Sequence, residues 1–324
     1  MTSKSSLRNI CILGGTGFVG REIASRLVQK GNSVRIPTRN RQRARNLLVL
    51  PGIEIINADV HDESALRDIV SGTDAVINLI GILNEKGRDG REFYRTHVQL
   101  VEKLITACQD NDIPLLLQMS ALKANAETGP SHYLRSKGAA EQALKNLCGD
   151  ELSWIIFQPS AIFGPDDSFI NRFAQMLRLS PFLPLARPYT RFAPVYVVDV
   201  ANAVCCALEN HAAYNRTYQL YGPEEYSLQE IVAEIAQILK LKRRIIPLPD
   251  RLSKIQAWFL DYAVPGKIFT IDNYRSMAVS SIGTENGLTA LGLIPTSMST
   301  IMPYYLVHQD NQKRLALFRQ RNGR

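Results

Sequence analysis

The sequence predicts an α/β protein, a doubly wound parallel sheet with helices on both faces, followed by a small, mostly helical C-terminal lobe. Three observations carry this expectation. Short, continuously apolar runs rich in β-branched residues recur through the first two thirds of the 324 residues. Amphipathic stretches of helical period separate them. A glycine-rich turn stands where the first run gives way to the first helix. Strands this apolar need cover on both faces, and helical crossovers between parallel strands supply it.

Taken in order, NICIL (9–13) reads as the first strand and REIASRLVQKG (21–31) as a helix with Ile23, Leu27 and Val28 inward. SVRIPT (33–38) is the second strand, a basic helix follows it, and IEIINADV (53–60) is the third strand. The next helix starts near DESALRDIV with Asp62 as its N-cap. DAVINLI (74–80) is strand four. A long helix from Phe93 to Asp110 places Val98, Val101, Leu104, Ile105 and Cys108 at helical spacing. LLLQMSA (115–121) is strand five, HYLRSKGAAEQAL opens the helix after it, and SWIIFQPSAIFG (153–164) is strand six. RFAPVYVVDVANAV (191–204) reads as a short strand and a helix, and TYQLYG (217–222) as a last strand. Residues 8–222 thus form a nucleotide-binding domain, with an insertion around 166–190 given to a second lobe of residues 223–324.

Composition sets outer bounds. Apolar residues at 45% and charged residues at 21% are ordinary for a globular protein. No apolar run approaches the ~20 residues that span a bilayer. The opening MTSKSSLRN lacks the apolar core of a secretory signal, so a cytoplasmic location is expected. Five cysteines, an odd number without CxxC spacing, read as buried reduced thiols, and five scattered histidines suggest no metal site. The net charge of +8 concentrates in RNRQRAR (39–45) and in the acid-free tail KRLALFRQRNGR (313–324). Solvated surface is the simpler reading of such runs, and nucleic acid is not an expected partner.

GGTGFVG (14–20) falls between the first strand and the first helix. Gly14, Gly17 and Gly20 allow a tight turn, close backbone approach to a pyrophosphate and close helix–strand packing, while the helix N-terminus faces the phosphates. Thr16, Phe18 and Val19 belong to the same turn. An NAD binder holds the ribose hydroxyls with an acid after strand two. Here Thr38, Arg39 and Asn40 stand instead. Arg39, with Arg43 a turn later, suits a 2′-phosphate, which a guanidinium grips bidentately, so NADP(H) is the expected dinucleotide and NAD(H) the lesser choice. Asp59 and Val60 are placed to read the adenine, and Asn78 to Gly81 to pass under the ribose.

Tyr133 and Lys137, four residues apart, share one helix face. Ser120 ends strand five, on the side where ligands bind in such sheets. A tyrosine that exchanges a proton near neutral pH needs its pKa lowered from ~10, and a nearby ammonium does that, while a serine hydroxyl can orient a carbonyl. With GGTGFVG, Asp59, the Asn78–Gly81 segment, QPSAIFGP (158–165) and VYVVDVANAV (195–204), these residues resemble the extended short-chain dehydrogenase/reductase superfamily over about residues 9–222. The resemblance implies a Rossmann fold, a Ser120–Tyr133–Lys137 triad with Tyr133 as acid/base, Lys137 on the nicotinamide ribose, and Pro159 and Ile162 against the cofactor. YLRSKGAAE, QPSAIFGPDDSFINRFAQML and PVYVVDVANAV together resemble the NADPH-binding accessory subunit family of respiratory complex I and its bacterial relatives. That family implies tightly held NADPH, a structural role, respiratory-complex subunits as partners, and peripheral attachment to the inner face of a respiratory membrane. One departure is Gln158, where many sugar-nucleotide epimerases carry arginine; it argues against a nucleotide-sugar substrate.

Residues 245–269, IIPLPDRLSKIQAWFLDYAVPGKIF, are apolar and aromatic with basic interruptions. They fit an isoprenoid or quinone-like ligand, a membrane surface or a partner protein, and equally the core of the lobe. Three functions remain in view: a structural or assembly subunit with bound NADPH, an active NADP(H)-dependent oxidoreductase on an apolar carbonyl or quinone-related substrate, and a nucleotide-sensing regulator. A sensor has no need of the triad.

Overall fold

The structure is a computed structural model that describes residues 8–263, 267 and 269–307. The chain forms two compact units. One runs to Pro159 and takes up Val198–Leu220 and Gly283–Ile294; the other comprises Ser160–Val197, Tyr221–Ile282 and the residues from Pro295 on. The sequence reading divides the chain at 222–223 with an insertion around 166–190 given to the second lobe; here residues 160–197 group with the second unit and 283–294 return to the first.

The first unit is built on seven strands, β1 (Asn9–Leu13), β2 (Ser33–Thr38), β3 (Ile53–Asn57), β4 (Ala75–Asn78), β5 (Leu115–Met119), β6 (Ser153–Pro159) and β7 (Arg216–Leu220). They lie in the order β7-β6-β5-β4-β1-β2-β3, every neighbouring pair parallel. The order reverses between β1 and β4, the switch point of a Rossmann sheet, so a crevice opens at their C-terminal ends. β4 and β5 are buried along their whole length. That accounts for the unbroken apolar runs: a strand covered on both faces has no solvent side to make polar.

The helices follow the apolar stripes. α1 (Phe18–Gln29) buries Ile23, Ala24 and Leu27. α2 (Glu63–Val70) is capped by Asp62, whose Oδ1 accepts from the N–H groups of Ser64 and Ala65. A longer helical run begins as α3 (Arg91–Tyr94), passes through a π-helical turn at Arg95–Gln99, and continues as α4 (Leu100–Asp110). α5 (His132–Leu147) starts at Ser131, which accepts from Leu134 N, and α6 (Val197–Leu208) returns along the chain. Leu100, Val101, Leu104, Ile105 and Cys108 of α4 pack with Cys11, Leu13, Val76 and Leu116 of the sheet in one buried cluster.

Three sequence readings change. The basic helix after β2 is only a 3₁₀ turn, Arg41–Ala44. Its arginines sit at i, i+4 without intervening acids, so like charges oppose a full helix. The helix read from Phe93 begins at Arg91 and carries the π turn. The strand read over 153–164 stops at Pro159; Ile162–Phe163 instead pairs with Val195–Tyr196 in the second unit.

The second unit packs helices Ile170–Leu179 and Leu228–Ile238 and the C-terminal Met298, Met302 and Leu306 around one apolar core, with Phe182–Leu185 paired to Arg244–Pro247. Asp167 caps there: its carboxylate accepts from Gly164, Ile170 and Asn171 N–H. No helix among the described residues is long and apolar enough to cross a membrane.

Candidate functional site

The glycine turn is shaped by what cannot fit. Gly14 has φ +79, and a Cβ at Gly20 would lie 2.5 Å from Gly14 O and 2.6 Å from Gly15 Cα, so α1 meets the turn with no room for a methyl group. A Cβ at Gly17 would stand 3.2 Å from Gly14 O. Gly17 is the N-cap of α1 and supplies no side-chain cap, which leaves the first N–H groups of the helix to a ligand. Thr16, Phe18 and Val19 are half-buried in this turn. The cradle fits a dinucleotide pyrophosphate.

Around it, Arg39 is exposed just past β2, and Asn40 and Thr38 bond one another rather than offering an acid. Arg43 falls in the 3₁₀ turn, and its side chain is outside the described residues. Asp59 is exposed and accepts from His61 N–H, while the half-buried Val60 packs on the core. Asn78, 1% exposed, donates from Nδ2 to Gln118 and accepts from Ile80 N–H, so it fixes the end of β4. Pro159, buried at the end of β6, accepts Leu122 N–H through its carbonyl. Ile162 lies in the second unit.

Lys137 is 5% exposed. Its Nζ donates to Met119 O at 2.9 Å, at the end of β5, and lies 3.1 Å from where a Cβ of Gly81 would be. A side chain at 81 would crowd the ammonium, which would have to give by a few tenths of an ångström. Burial depresses Lys137 to about 8, with Glu141 pulling the other way. Tyr133, half-buried, packs edge-on against Phe93 and His97 at centroid distances of 6.1 and 5.7 Å. Burial pushes its phenol up to about 12. The sequence led us to expect a phenol lowered by the ammonium; in this arrangement desolvation governs it, and the ammonium serves a backbone carbonyl.

Two residues that the sequence reading passed over complete the site. Ser120 donates its hydroxyl proton to Glu141, whose carboxylate also accepts from Gln158 Nε2 at 2.9 Å on each oxygen. Burial raises the Glu141 carboxyl, and the bonds from Ser120 and Gln158 oppose that rise. Glu141 lies one turn beyond Lys137, so helical spacing alone would have brought it to notice. His97, in the π turn, accepts Ile82 N–H at Nε2 (3.1 Å), so its proton is on Nδ1 and is given to Ser136 Oγ (2.8 Å), which in turn donates to Tyr133 O. Burial, then the Lys137 charge, lowers His97 to about 2, which keeps the ring neutral. His97 thus pins the backbone next to Gly81.

A glycine turn at the switch point of a seven-stranded parallel sheet is the arrangement of a Rossmann-type α/β protein. The model of the NAD dependent epimerase/dehydratase family matches residues 10–220, and the chain belongs to that family. It is 28% identical over 313 residues to the mitochondrial NADH dehydrogenase (ubiquinone) 1 alpha subcomplex subunit 9 of Arabidopsis thaliana, covering 91% of this chain and 76% of that protein. It is 27% identical to the ceramide reductase of Caulobacter vibrioides, over 74% of each chain. The UDP-glucose 4-epimerase of Thermotoga maritima shares the fold with a TM-score of 0.73 at 15% identity, over 94% of this chain and 99% of that one.

The buried lysine makes stability depend on pH in a defined direction. Its folded value, about 8, lies below the ordinary 10.5, so between these pH values the unfolded chain binds the additional proton and folding strengthens as pH rises. The unfolding free energy of the wild type relative to Lys137→Met is expected to climb between pH 8 and 10.5, by on the order of 3 kcal/mol. Urea titrations at several pH values measure it; a flat or falling difference contradicts the burial of a charged group.

Proposed function

We propose that this chain holds NADP(H) as a lasting ligand in a structural or assembly role beside subunits of a respiratory membrane complex. The observation that carries this reading is the state of the triad. Ser120 gives its proton to Glu141, Lys137 serves the Met119 carbonyl, and burial raises the Tyr133 phenol, so the tyrosine is not tuned to exchange a proton near neutral pH. The nucleotide cradle, by contrast, is fully formed. The relatives named as NADH dehydrogenase subunits match over most of this chain, which supports the same reading.

The choice of NADP(H) rests on Arg39 and on the lack of an acid after β2. His61 adds support: burial lowers it first, and the charges of Arg95, Arg39 and Lys103 lower it further against Asp59, so this end of the crevice carries positive potential. Attachment to a membrane or a partner rests on helix Asp250–Tyr262. Ile255, Trp258, Phe259 and Tyr262 are all more than half exposed, Trp258 and Tyr262 stack at 5.4 Å, and Arg251 and Lys254 are exposed beside them. Apolar aromatic side chains with basic neighbours suit an anionic interface. The alternative function, an active oxidoreductase on an apolar carbonyl, is favoured by the presence of all three triad residues and by the likeness to a protein named ceramide reductase. The basic tail at 313–324 lies outside the described residues.

Arg39→Ala is expected to weaken NADPH by about 1.5–3 kcal/mol, the range for hydrogen bonds to charged groups, and to leave NADH almost unchanged. Equal wild-type affinity for the two nucleotides would remove the basis for NADP(H). In a strain lacking the native gene, Tyr133→Phe should restore function fully while Gly17→Leu should not. Loss of function in Tyr133→Phe with NADPH still bound makes the protein an enzyme. In fractionated cells the protein should sediment with membranes and leave them on a high-salt wash, and Trp258→Ser with Phe259→Ser should shift it to the soluble fraction. Wild type recovered wholly as a soluble monomer speaks against attachment.

A further inference from the structure

A second, basic cleft of about 690 Å³ lies in the first unit, between the π-turn helix and α5. Its walls carry Arg91, Arg95 and Arg135 with His132, against one carboxylate, Asp89. None of the Gly14–Gly20 turn lines it. Asp89 is already committed, with its Oδ2 3.0 Å from Arg91 Nε. Arg135 donates only to Gly129 O and to His132 Nδ1, and Arg95 makes no ion pair among the described residues. Two guanidiniums thus face the cleft without a countercharge. An arginine can only donate, so His132 Nδ1 accepts. The ring sits directly over Gly90, where a Cβ would come within 2.5 Å of Nδ1, so the position of the ring against Arg135 is built into the backbone.

We propose that this cleft binds a phosphate group, with Arg95 and Arg135 as its principal contacts. Planar guanidinium forks match phosphate oxygens bidentately, which uncompensated lysines would not do with the same geometry. The volume is in the range of small-molecule sites and exceeds what a bare phosphate fills. Ala126, Ala139 and Tyr94 supply apolar and aromatic wall for the remainder of a phosphate ester, from a soluble metabolite or a lipid headgroup. The cleft also touches the candidate nucleotide site through one residue. Ser136 lines it and accepts from His97, which holds Ile82 N–H beside Gly81 and Lys137.

The test uses the full chain, first alone and then titrated to saturation with NADPH. Inorganic phosphate is titrated by calorimetry at low ionic strength, and vesicles of phosphatidylcholine with and without phosphatidic acid are tested by co-sedimentation. The expected result is one saturable phosphate site per chain, weakened about tenfold or more by Arg95→Gln. Arg95 is exposed and carries no structural bond, so it decides the matter; Arg135→Gln should act in the same direction but also removes the bond to Gly129 O. Co-sedimentation that needs phosphatidic acid and Arg95 assigns the phosphate to a lipid headgroup. Binding of free phosphate without vesicle capture assigns it to a soluble ester. Absence of a saturable site, binding indifferent to Arg95→Gln, or displacement of phosphate by NADPH overturns the proposal, the last by showing that the arginines belong to the dinucleotide site. NADPH affinity is measured in the same samples, so failure of the cleft is read separately from failure of the nucleotide assignment.

Discussion

A buried ammonium constrains its neighbours more tightly than any apolar contact, because an unpaired charge in a low-dielectric interior costs several kcal/mol. Around Lys137 the consequences can be followed residue by residue. The β5 carbonyl of Met119 accepts from it, Glu141 supplies the opposite charge one helical turn away, and glycine at 81 leaves it uncrowded. Burial, and after it the Lys137 charge, keep His97 neutral, and neutrality fixes its tautomer through Ile82 and Ser136. The π turn at Arg95–Gln99 then has a cause. It places His97 inside the fold while Arg95 and Gln99 stay exposed, and π turns are found where such a displacement is used.

Glu141 is shared among competing donors. Ser120 and Gln158 bond it directly, and the charges of Lys145 and Lys137 act on it at longer range. The Gln158 amide supplies hydrogen bonds without charge, while burial raises the carboxyl, which remains the acceptor for the Ser120 proton. Gln158 on β6 therefore reaches the serine on β5 through a helix residue that neither strand adjoins in sequence.

The sheet was legible because its signals are local. Continuous apolar runs marked β1 to β7, and the glycine turn and Asp62 marked helix starts through short-range sterics and capping. The basic segment after β2 was misread because its arginines have helical spacing but no apolar stripe, and their mutual repulsion leaves a 3₁₀ turn. The π turn leaves no mark on apolar periodicity, since a single inserted residue alters one turn and the core pattern resumes at Leu100. The Ser120–Glu141–Gln158 network joins residues 21 and 17 positions apart, and only the packing of α5 on β5 and β6 brings them together. The return of 283–294 to the first unit is equally non-local.

The two halves of the site answer to different physical requirements. The cradle works by absence: glycine at 14, 17 and 20 leaves room for backbone to meet backbone and phosphate, and its success does not depend on any proton. The triad works by proton inventory. Tyr133 must reach a lower pKa, Ser120 must be free to donate to a substrate oxygen, and Lys137 must direct its charge at the phenol. In this fold each of those conditions is traded for a bond to the protein itself: Ser120 to Glu141, Lys137 to Met119, Tyr133 to an aromatic cluster. Such bonds tie the polar groups at the ends of β5 and α5 to one another, while the glycine turn spends none of its backbone on them. The two halves of the site are therefore built by independent local constraints, sterics in one and polar pairing in the other.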